Sequence, residues 1–322
     1  MRSESPIADV CLEEVPSPFR GRPPFSVAYK TKYGRMFHGL SDELLKTEAF
    51  ERYKGSVDLV FTSPPFPLNR KKRYGNKVGD EYIEWLSGYG PLLKQMLKPG
   101  GSIVMEVGNA WEQGSPVMST LPMRSLLKFQ EDNNLQLCQE FIWQNPAKLP
   151  SPAQWVNVER IRVKDSFTRI WWMSSSSKPK ADNKRVLAEY SDSMKSLLKS
   201  GKYNAGKRPS EHNIGEESFL SDNGGAIPGS VLTFANTHAG DPYQVYCREQ
   251  KLQPHPARMP QDLANFFIRL LTEPGDLVLD PFGGSNTTGA AAEGLGRYWI
   301  SIEAKEEYIE GSKGRFQGSI LD

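Results

Sequence analysis

The sequence predicts an α/β fold in which buried strands form a sheet with helices on both faces. Short apolar runs end in polar or Gly-rich turns, amphipathic segments lie between them, and a late glycine turn joins a strand to a helix. The chain has 322 residues, enough for one large domain or two small ones. No apolar run approaches the roughly 20 residues of a membrane-spanning helix, so no membrane contact is expected.

Seven short runs rich in Val, Ile, Leu, Phe and Trp predict buried strands. They are Arg35–His38, Val57–Phe61, Ser102–Val107, Cys138–Trp143, Thr168–Met173, Leu277–Leu279 and Tyr298–Ile302. Apolar side chains at helical spacing predict helices over Asp80–Lys98 and Pro260–Thr272. A Pro-Gly step follows each helical pattern and fits its termination.

Charge is distributed unevenly along the chain. The segment Gln144–Ser210 carries 14 Lys and Arg against 5 Asp and Glu, a net charge of +9, whereas the rest of the chain has −7. This split is typical of an acidic core with a basic segment that holds a polyanion, although a solvated face is the alternative interpretation. The three widely separated cysteines and the absence of an N-terminal apolar segment favour a reduced, cytoplasmic chain.

The first motif is Thr62-Ser63-Pro64-Pro65-Phe66, at the end of the Val57–Phe61 strand. Two prolines remove two backbone donors, so the carbonyls around them are left as acceptors. A hydroxyl before them and an aromatic ring after them suit a flat heterocycle that carries an exocyclic amine. Ser-Pro-Pro also occurs in ordinary loops, so the motif alone is weak.

The second motif is the glycine turn after the Leu277–Leu279 strand. Its residues are Asp280, Pro281, Phe282, Gly283, Gly284, Ser285, Asn286 and Thr287. Strand, glycine turn and helix N-terminus form the nucleotide-binding arrangement of doubly wound sheets. Glu303, 19 residues after Gly284, ends the next strand and could accept hydrogen bonds from ribose hydroxyls. The third motif is His255-Pro256-Ala257-Arg258-Met259-Pro260. It precedes the predicted Pro260–Thr272 helix, which leads into the Leu277–Leu279 strand.

Taken in order, these three motifs resemble the β group of amino-methylating DNA methyltransferases. Further similar segments are Lys148–Pro152, Arg160–Asp165, Trp171-Trp172 and Asp222–Pro228, which resemble the PvuII type of modification methyltransferase. The resemblance covers roughly residues 33–316. It implies transfer of a methyl group from S-adenosylmethionine to the N4 amine of cytosine in double-stranded DNA, leaving S-adenosylhomocysteine, with base flipping and no metal.

The resemblance also implies a Rossmann-like, class I methyltransferase fold with a circularly permuted, seven-stranded mixed sheet. The expected organisation is an irregular arm (1–28), a catalytic half (29–175), a smaller target-recognition region (176–246, with the basic segment beginning near 144) and a cofactor half (247–322). Both chain ends are expected beside the Arg35–His38 strand.

The residue roles are carried over from the same resemblance. Ser63 and Pro64 would accept hydrogen bonds from the cytosine amine, Pro65 shapes the loop, Phe66 would stack on the base, and Glu106 would accept its proton or orient it. The cofactor residues would be Asp280, Phe282, Gly283, Gly284, Ser285, Asn286, Thr287, Glu303, His255, Pro256, Ala257 and Arg258.

Double-stranded DNA is the expected partner. The candidate DNA-binding residues are Arg70, Lys71, Lys72, Arg73, Lys148, Arg160, Arg162, Lys164, Lys207 and Arg208. A monomer is expected, together with a companion restriction endonuclease that acts at the same site without a stable complex. Adenine-N6 methylation and a non-catalytic DNA-binding module remain alternatives, and a nicotinamide-dependent oxidoreductase is a third that would prefer a GxGxxG turn.

Overall fold

The computed structural model describes residues 27–67, 77–203, 206–207, 209–210, 213–215, 219–236 and 240–321. These residues form two compact units. The smaller unit is Asp182–Gly229, and the larger unit comprises the described residues before and after it. The predicted irregular arm falls almost entirely outside the described residues. In the part of the chain that the structure describes, no helix is long and apolar enough to cross a membrane.

A mixed sheet of ten described strands forms the larger unit, and a two-stranded ribbon lies in the smaller one. The strands are β1 (Val27–Thr31), β2 (Gly34–His38), β3 (Val57–Thr62), β4 (Leu97–Val107), β5 (Gln136–Gln144), β6 (Phe167–Ser174), β7 (Gly206–Lys207), β8 (Asn213–Ile214), β9 (Val231–Thr233), β10 (Leu277–Asp280), β11 (Tyr298–Glu303) and β12 (Ile320–Leu321). The order in the large sheet is β12-β1-β2-β11-β10-β3-β4-β6-β5-β9.

All seven predicted strands are present and lie side by side in the middle of this sheet, from β2 to β5. β2, β11, β10, β3 and β4 are parallel, and β6 runs antiparallel between β4 and β5. Every residue of β3 and β10 is buried, which explains their continuous apolar character. The predicted α/β fold with a permuted mixed sheet is confirmed.

The sheet extends beyond the seven predicted strands at both edges. β1 pairs antiparallel with β2 and with β12, and β9 pairs in parallel with β5. Thr31 therefore lies opposite Ile320 beside β2, so the first and last described strands meet where the permuted order predicts.

The helices are α1 (Ser41–Leu44), α2 (Glu48–Glu51), α3 (Gly79–Ser87), α4 (Tyr89–Met96), α5 (Leu121–Asp132), α6 (Asp192–Ser200), α7 (Pro242–Glu249), α8 (Gln261–Leu271), α9 (Thr287–Gly294) and α10 (Glu306–Ser312). The helices of the larger unit cover both faces of its sheet. Val60 belongs to the core cluster that includes Leu86 and Leu93, whereas the next side chain, Phe61, packs on Phe267 of α8 with ring centroids 5.5 Å apart.

The single helix predicted over Asp80–Lys98 is wrong in two respects. It is divided into α3 and α4 at Gly88, and Leu97 and Lys98 belong to β4. Pro91 cannot donate a backbone hydrogen bond to the Ser87 carbonyl one turn earlier. That carbonyl instead accepts a hydrogen bond from Asn133 Nδ2 at 3.1 Å. The second predicted helix, Pro260–Thr272, is α8 with Pro260 at its N-cap.

Candidate active site

The Ser63 loop and Glu106 lie at the carboxyl ends of two adjacent parallel strands. Thr62, the last residue of β3, is opposite Met105 of β4, so the next residues along each strand, Ser63 and Glu106, are also neighbours. Ser63 is half-buried, and its hydroxyl interacts with the Glu106 carboxyl. The structure thus brings together two residues that are separated by more than forty positions in the sequence.

Glu106 is buried, with 3% of its surface exposed. Burial raises the pKa of its carboxyl above the usual value, and the Ser63 hydroxyl and the more distant positive charge of Lys148 only partly oppose this. The Thr168 hydroxyl also lies close enough to lower the pKa of Glu106, yet among the described residues it has no hydrogen-bond partner of good geometry. A buried carboxyl with a raised pKa beside a polar loop is a candidate for proton exchange.

The aromatic side of the loop is formed by Phe66, which is half-buried. Its ring lies against Gly108, just after β4, where an added Cβ atom would come within 2.5 Å of the ring carbons. Gly108 is therefore required for this close approach. Pro64 is buried and Pro65 is exposed, so the loop presents one proline to the core and one to the solvent.

A polar network beside Glu106 was not anticipated from the sequence. Asn109 donates to Asp165 Oδ1 at 2.9 Å and to the Phe167 carbonyl at 3.0 Å, and its own carbonyl accepts from Arg169 at 3.1 Å. Asp165 also pairs with Lys148 at 2.8 Å. Asn109 lies two residues after a predicted strand, and Asp165 lies in one of the segments that carry the resemblance, but only the fold brings them together.

A buried carboxylate links the Ser63 loop to the glycine turn. Asp280, at the end of β10, accepts hydrogen bonds from Thr62 Oγ1 and Thr288 Oγ1, both at 2.7 Å, and from the Phe282 backbone at 3.0 Å. Burial raises the pKa of Asp280 despite these bonds. Its carboxylate therefore joins β3, β10 and α9.

The glycine turn is held tightly against the end of β11. The Gly283 N–H donates to the Ile302 carbonyl at 2.8 Å, and the Gly284 N–H donates to Glu303 Oε2 at 2.8 Å. Gly284 has φ +51°, a left-handed conformation that favours glycine. Burial raises the pKa of Glu303, whose second carboxylate oxygen accepts from the Lys305 N–H at 2.9 Å.

Asn286 fixes the start of α9. It adopts a left-handed conformation with φ +53°, and its side chain accepts hydrogen bonds from the Gly289 N–H at 3.1 Å and from Ser301 Oγ at 2.7 Å. Its Nδ2 donates to the Tyr29 hydroxyl of β1 at 2.9 Å, and that hydroxyl also exchanges a hydrogen bond with Ser312. The turn is therefore anchored by residues from both ends of the described chain.

The remaining polar residues of the turn are buried as well. Ser285 and Thr287 are buried and exchange a hydrogen bond at 3.2 Å, and the Ser285 carbonyl accepts from the Arg315 side chain, which is 5% exposed, at 2.7 Å. Phe282 packs between Trp85 and Tyr89, with ring centroids 5.7 and 5.0 Å away.

His255 packs over the glycine turn. An added Cβ atom at Gly284 would lie 3.4 Å from His255 Nε2, and the imidazole meets Tyr308 edge-on at 4.5 Å. The His255 N–H donates to the Tyr243 hydroxyl at 2.7 Å. Burial lowers the pKa of His255 to about 4, so the ring is neutral at physiological pH.

The two residues that follow His255 face outward. Pro256 and Ala257 are exposed, and Arg258 donates to the His255 carbonyl at 3.0 Å. Arg258 also lines a cleft of about 570 Å³ together with Asp241 and Arg315. Of the predicted cofactor residues in the described chain, Arg258 alone lines this cleft. The cleft adjoins the glycine turn, since Arg315 in its wall donates a hydrogen bond to the Ser285 carbonyl.

The candidate DNA-binding residues divide into three groups. Arg160, Arg162 and Lys164 are exposed in the segment between β5 and β6, and Lys148 near them is half-buried in its ion pair with Asp165. Lys207 is exposed in β7 of the smaller unit. The others lie outside the described residues, namely Arg70, Lys71, Lys72, Arg73 and Arg208.

Comparison with known proteins identifies this arrangement. A family model described as DNA methylase matches residues 57–314. The Type II methyltransferase M.PvuII of Proteus hauseri is 46% identical over 291 residues, covering 90% of this chain and 85% of that protein. The solved structure of the PvuII DNA methyltransferase, named as cytosine-N4-specific, has a TM-score of 0.74 and 38% identity, with 94% of this chain and 91% of that chain covered.

A more distant structure shares the fold alone. The complex of M1.HpyAVI with SAM has a TM-score of 0.52 and 20% identity, and the match covers 88% of this chain and 98% of that chain. The family model and the relative at 46% identity each span most of the catalytic and cofactor segments described above. The predicted resemblance is confirmed, and the chain belongs to the DNA methylase family.

Proposed function

We propose that this protein transfers a methyl group from S-adenosylmethionine to the N4 amine of cytosine in double-stranded DNA. The observation that carries the proposal is the direct connection between the Ser63 loop and the glycine turn. Thr62 donates to Asp280 at 2.7 Å, so an amine held at Ser63 and a cofactor held at the turn would meet at one edge of the sheet. The relative named as cytosine-N4-specific supports the choice of base.

The cytosine amine is a poor nucleophile, because its lone pair is delocalised into the ring. Ser63 and the Pro64 carbonyl would accept its hydrogen bonds and align its lone pair with the methyl group. Phe66 would hold the ring by stacking, and Glu106 would receive the proton that the amine loses, through Ser63 or directly. The base must leave the duplex to reach these residues. No covalent enzyme intermediate and no metal are needed.

The glycine turn and Glu303 are the proposed cofactor site, and S-adenosylmethionine supplies the activated methyl group there. The Glu303 carboxylate accepts hydrogen bonds from the Gly284 and Lys305 N–H groups, and its other lone pairs would be open to a ribose hydroxyl. The neutral His255 over Gly284 would add no positive charge to a cofactor held at this turn. The cleft at Arg258, of a size that suits a small molecule, adjoins the same turn.

We also propose that the enzyme is a monomer and that it protects sites also recognised by a restriction endonuclease, without a stable complex. A DNA substrate agrees with the predicted cytoplasmic location. The smaller unit, Asp182–Gly229, lies within the region predicted for target recognition (176–246), and we retain that role as a proposal.

Methyl transfer from labelled S-adenosylmethionine to unmethylated double-stranded DNA tests the reaction, and mass spectrometry of the nucleosides identifies the base. N4-methylcytosine is the expected product. N6-methyladenine without N4-methylcytosine would contradict the proposed base, and tight DNA binding without any transfer would favour a non-catalytic module.

Glu303→Ala is expected to weaken S-adenosylmethionine binding, because it removes the ribose acceptor and the anchor of the Gly284 N–H. Loss of a hydrogen bond to a charged group predicts a decrease of about tenfold or more. Isothermal titration calorimetry measures the affinity. Glu307→Ala, an exposed acid of the following helix α10, is the matched control and should bind normally. Unchanged affinity in a folded Glu303→Ala protein would reject this assignment.

DNA affinity is expected to fall steeply with salt, because log K drops by about 0.9 for each phosphate contact that releases a counterion. Arg160→Ala should make the dependence of log K on log salt concentration less steep by about 0.9, the contribution of one phosphate contact. Lys54→Ala removes a cation near the opposite end of β3 and should leave the slope unchanged. Fluorescence anisotropy at several salt concentrations measures both effects, and a nearly flat dependence for the unmodified protein would contradict DNA binding by the basic segment.

A further inference from the structure

The loop of residues 145–166, between β5 and β6, exposes a group of large apolar side chains. Val163 is 87% exposed and Leu149 is 80% exposed, the two highest values among the large apolar residues that the structure describes. Val158 and Ile161 in the same loop are 67% and 49% exposed. Single exposed apolar residues are ordinary, but such a concentration in one loop marks an interaction surface.

The loop has a defined structure that forces these side chains outward. The Asn145 N–H donates to the Ser166 carbonyl at 2.8 Å, and the Asp165 N–H donates to the Ser151 carbonyl at 3.0 Å. Two further backbone bonds at 2.9 and 3.2 Å join Ile161 and Arg162 to Trp155. Val163 therefore lies between residues that are held on both sides, and its exposure follows from the folded backbone.

The charge around Val163 indicates its partner. Arg160, Arg162 and Lys164 alternate with the apolar residues and are all exposed, so the surface would attract a polyanion. The base of the loop is part of the active site, since Asp165 binds Asn109 and Lys148 lies near Glu106. A partner at this loop must therefore reach the same edge of the sheet as the reacting base.

These observations favour double-stranded DNA over any other polyanion. Phosphates satisfy the cations, and within a duplex the largest apolar surface for an aliphatic side chain lies between stacked bases, with the thymine methyl groups of the major groove offering less. Extruding a base leaves a gap in the stack, and proteins that distort DNA commonly insert apolar side chains between base steps.

We propose that Val163, with Leu149 on the facing segment of the loop, enters the base stack and fills the space that the flipped cytosine leaves. This inference rests on the proposed function and assigns a role in base extrusion to residues outside the catalytic machinery. Arg160, Arg162 and Lys164 hold the adjacent phosphates while the apolar side chains replace the stacking that is lost.

The test compares methyl transfer to two duplexes that carry the mapped target site, one with the target cytosine paired and one with it mismatched. Val163→Ser should lower kcat/KM on the paired duplex about tenfold, the value of one buried aliphatic side chain. The decrease in kcat/KM should be smaller on the mismatched duplex, because extruding a mismatched cytosine costs less free energy. Leu149→Ser should show the same pattern, whereas Val163→Ile, which remains apolar, should retain activity on both duplexes.

Leu137→Ser is the matched control, because Leu137 is 42% exposed near the start of β5, at the end of the strand away from the loop. It should leave kcat/KM unchanged. Equal losses on paired and mismatched duplexes, or no loss in Val163→Ser, would overturn the proposed insertion while the proposed reaction stands. An unmodified protein that transfers no methyl group would overturn the proposed reaction and the insertion with it.

Discussion

Ser63→Ala is expected to lower kcat for methyl transfer about a hundredfold, which corresponds to about 3 kcal/mol of lost transition-state stabilisation. The hydroxyl is the one side-chain acceptor that the Ser-Pro-Pro-Phe loop offers to the amine, and it also contacts the Glu106 carboxyl. Removing it leaves both the amine and the carboxyl without the group that connects them. Cofactor affinity should stay unchanged, because the glycine turn is anchored independently of Ser63.

Transfer of labelled methyl groups under single-turnover conditions measures this effect, with calorimetry of cofactor binding alongside. Ser56→Ala is a suitable control, since Ser56 lies just before the opposite end of β3 and its hydroxyl contacts only the Tyr53 carbonyl among the described groups, at 2.6 Å. Equal kcat values for Ser63→Ala and the unmodified protein would rule out the hydroxyl as a catalytic acceptor.

Glu106→Gln is expected to lower kcat about a hundredfold, within the range for loss of a general base, and to change its pH dependence. Burial raises the pKa of Glu106, so in the unmodified protein the active carboxylate becomes protonated at a higher pH than an exposed glutamate would. The rate should therefore decline as the pH falls through this raised pKa. Glutamine cannot accept the proton, so the residual rate of the variant should not show this decline.

The pH profile of kcat at saturating cofactor isolates Glu106 from Glu303. Glu303 also has a raised pKa. Its protonation would weaken cofactor binding and therefore raise the KM for S-adenosylmethionine, without changing kcat at saturating cofactor. An acidic decline in kcat that persists in Glu106→Gln would assign the titration to another group and contradict the proposed role.

The central strands could be predicted because their burial is continuous in the sequence. β3, β10 and β11 are covered on both faces, so almost every residue is apolar or buried. β1, β9 and β12 could not be predicted, because they lack a continuous run of buried apolar residues. β1 carries a lysine among half-buried residues, and β9 and β12 are two to three residues long and join only the edges of the sheet. Their stability comes from pairing with neighbours that the local sequence does not specify.

Those parts of the site that lie within one continuous segment could be predicted from the sequence. Those parts that form where separate segments meet could not. The Ser63 loop and the glycine turn each read as a motif, and Glu303 follows the turn at a recognisable distance. Asn109, Asp165 and Thr168 carry no such signal, because their positions beside Glu106 depend on the antiparallel pairing of β6 with β4. The basic segment predicted a polyanion, whereas the exposed apolar residues within it became visible only through the backbone of the loop.

The strand order has a consequence for how the chain folds during synthesis. β10 and β11 lie between β2 and β3, although they are made almost a whole chain later. A nascent chain that holds only the catalytic half would therefore carry β2 and β3 without partners at their inner edges, since β11 and β10 fill the space between them. Such edges are sites of aggregation, and contacts between residues so distant in sequence form slowly. We expect the centre of the sheet to close only after β11 has left the ribosome, so cofactor binding cannot begin before that point.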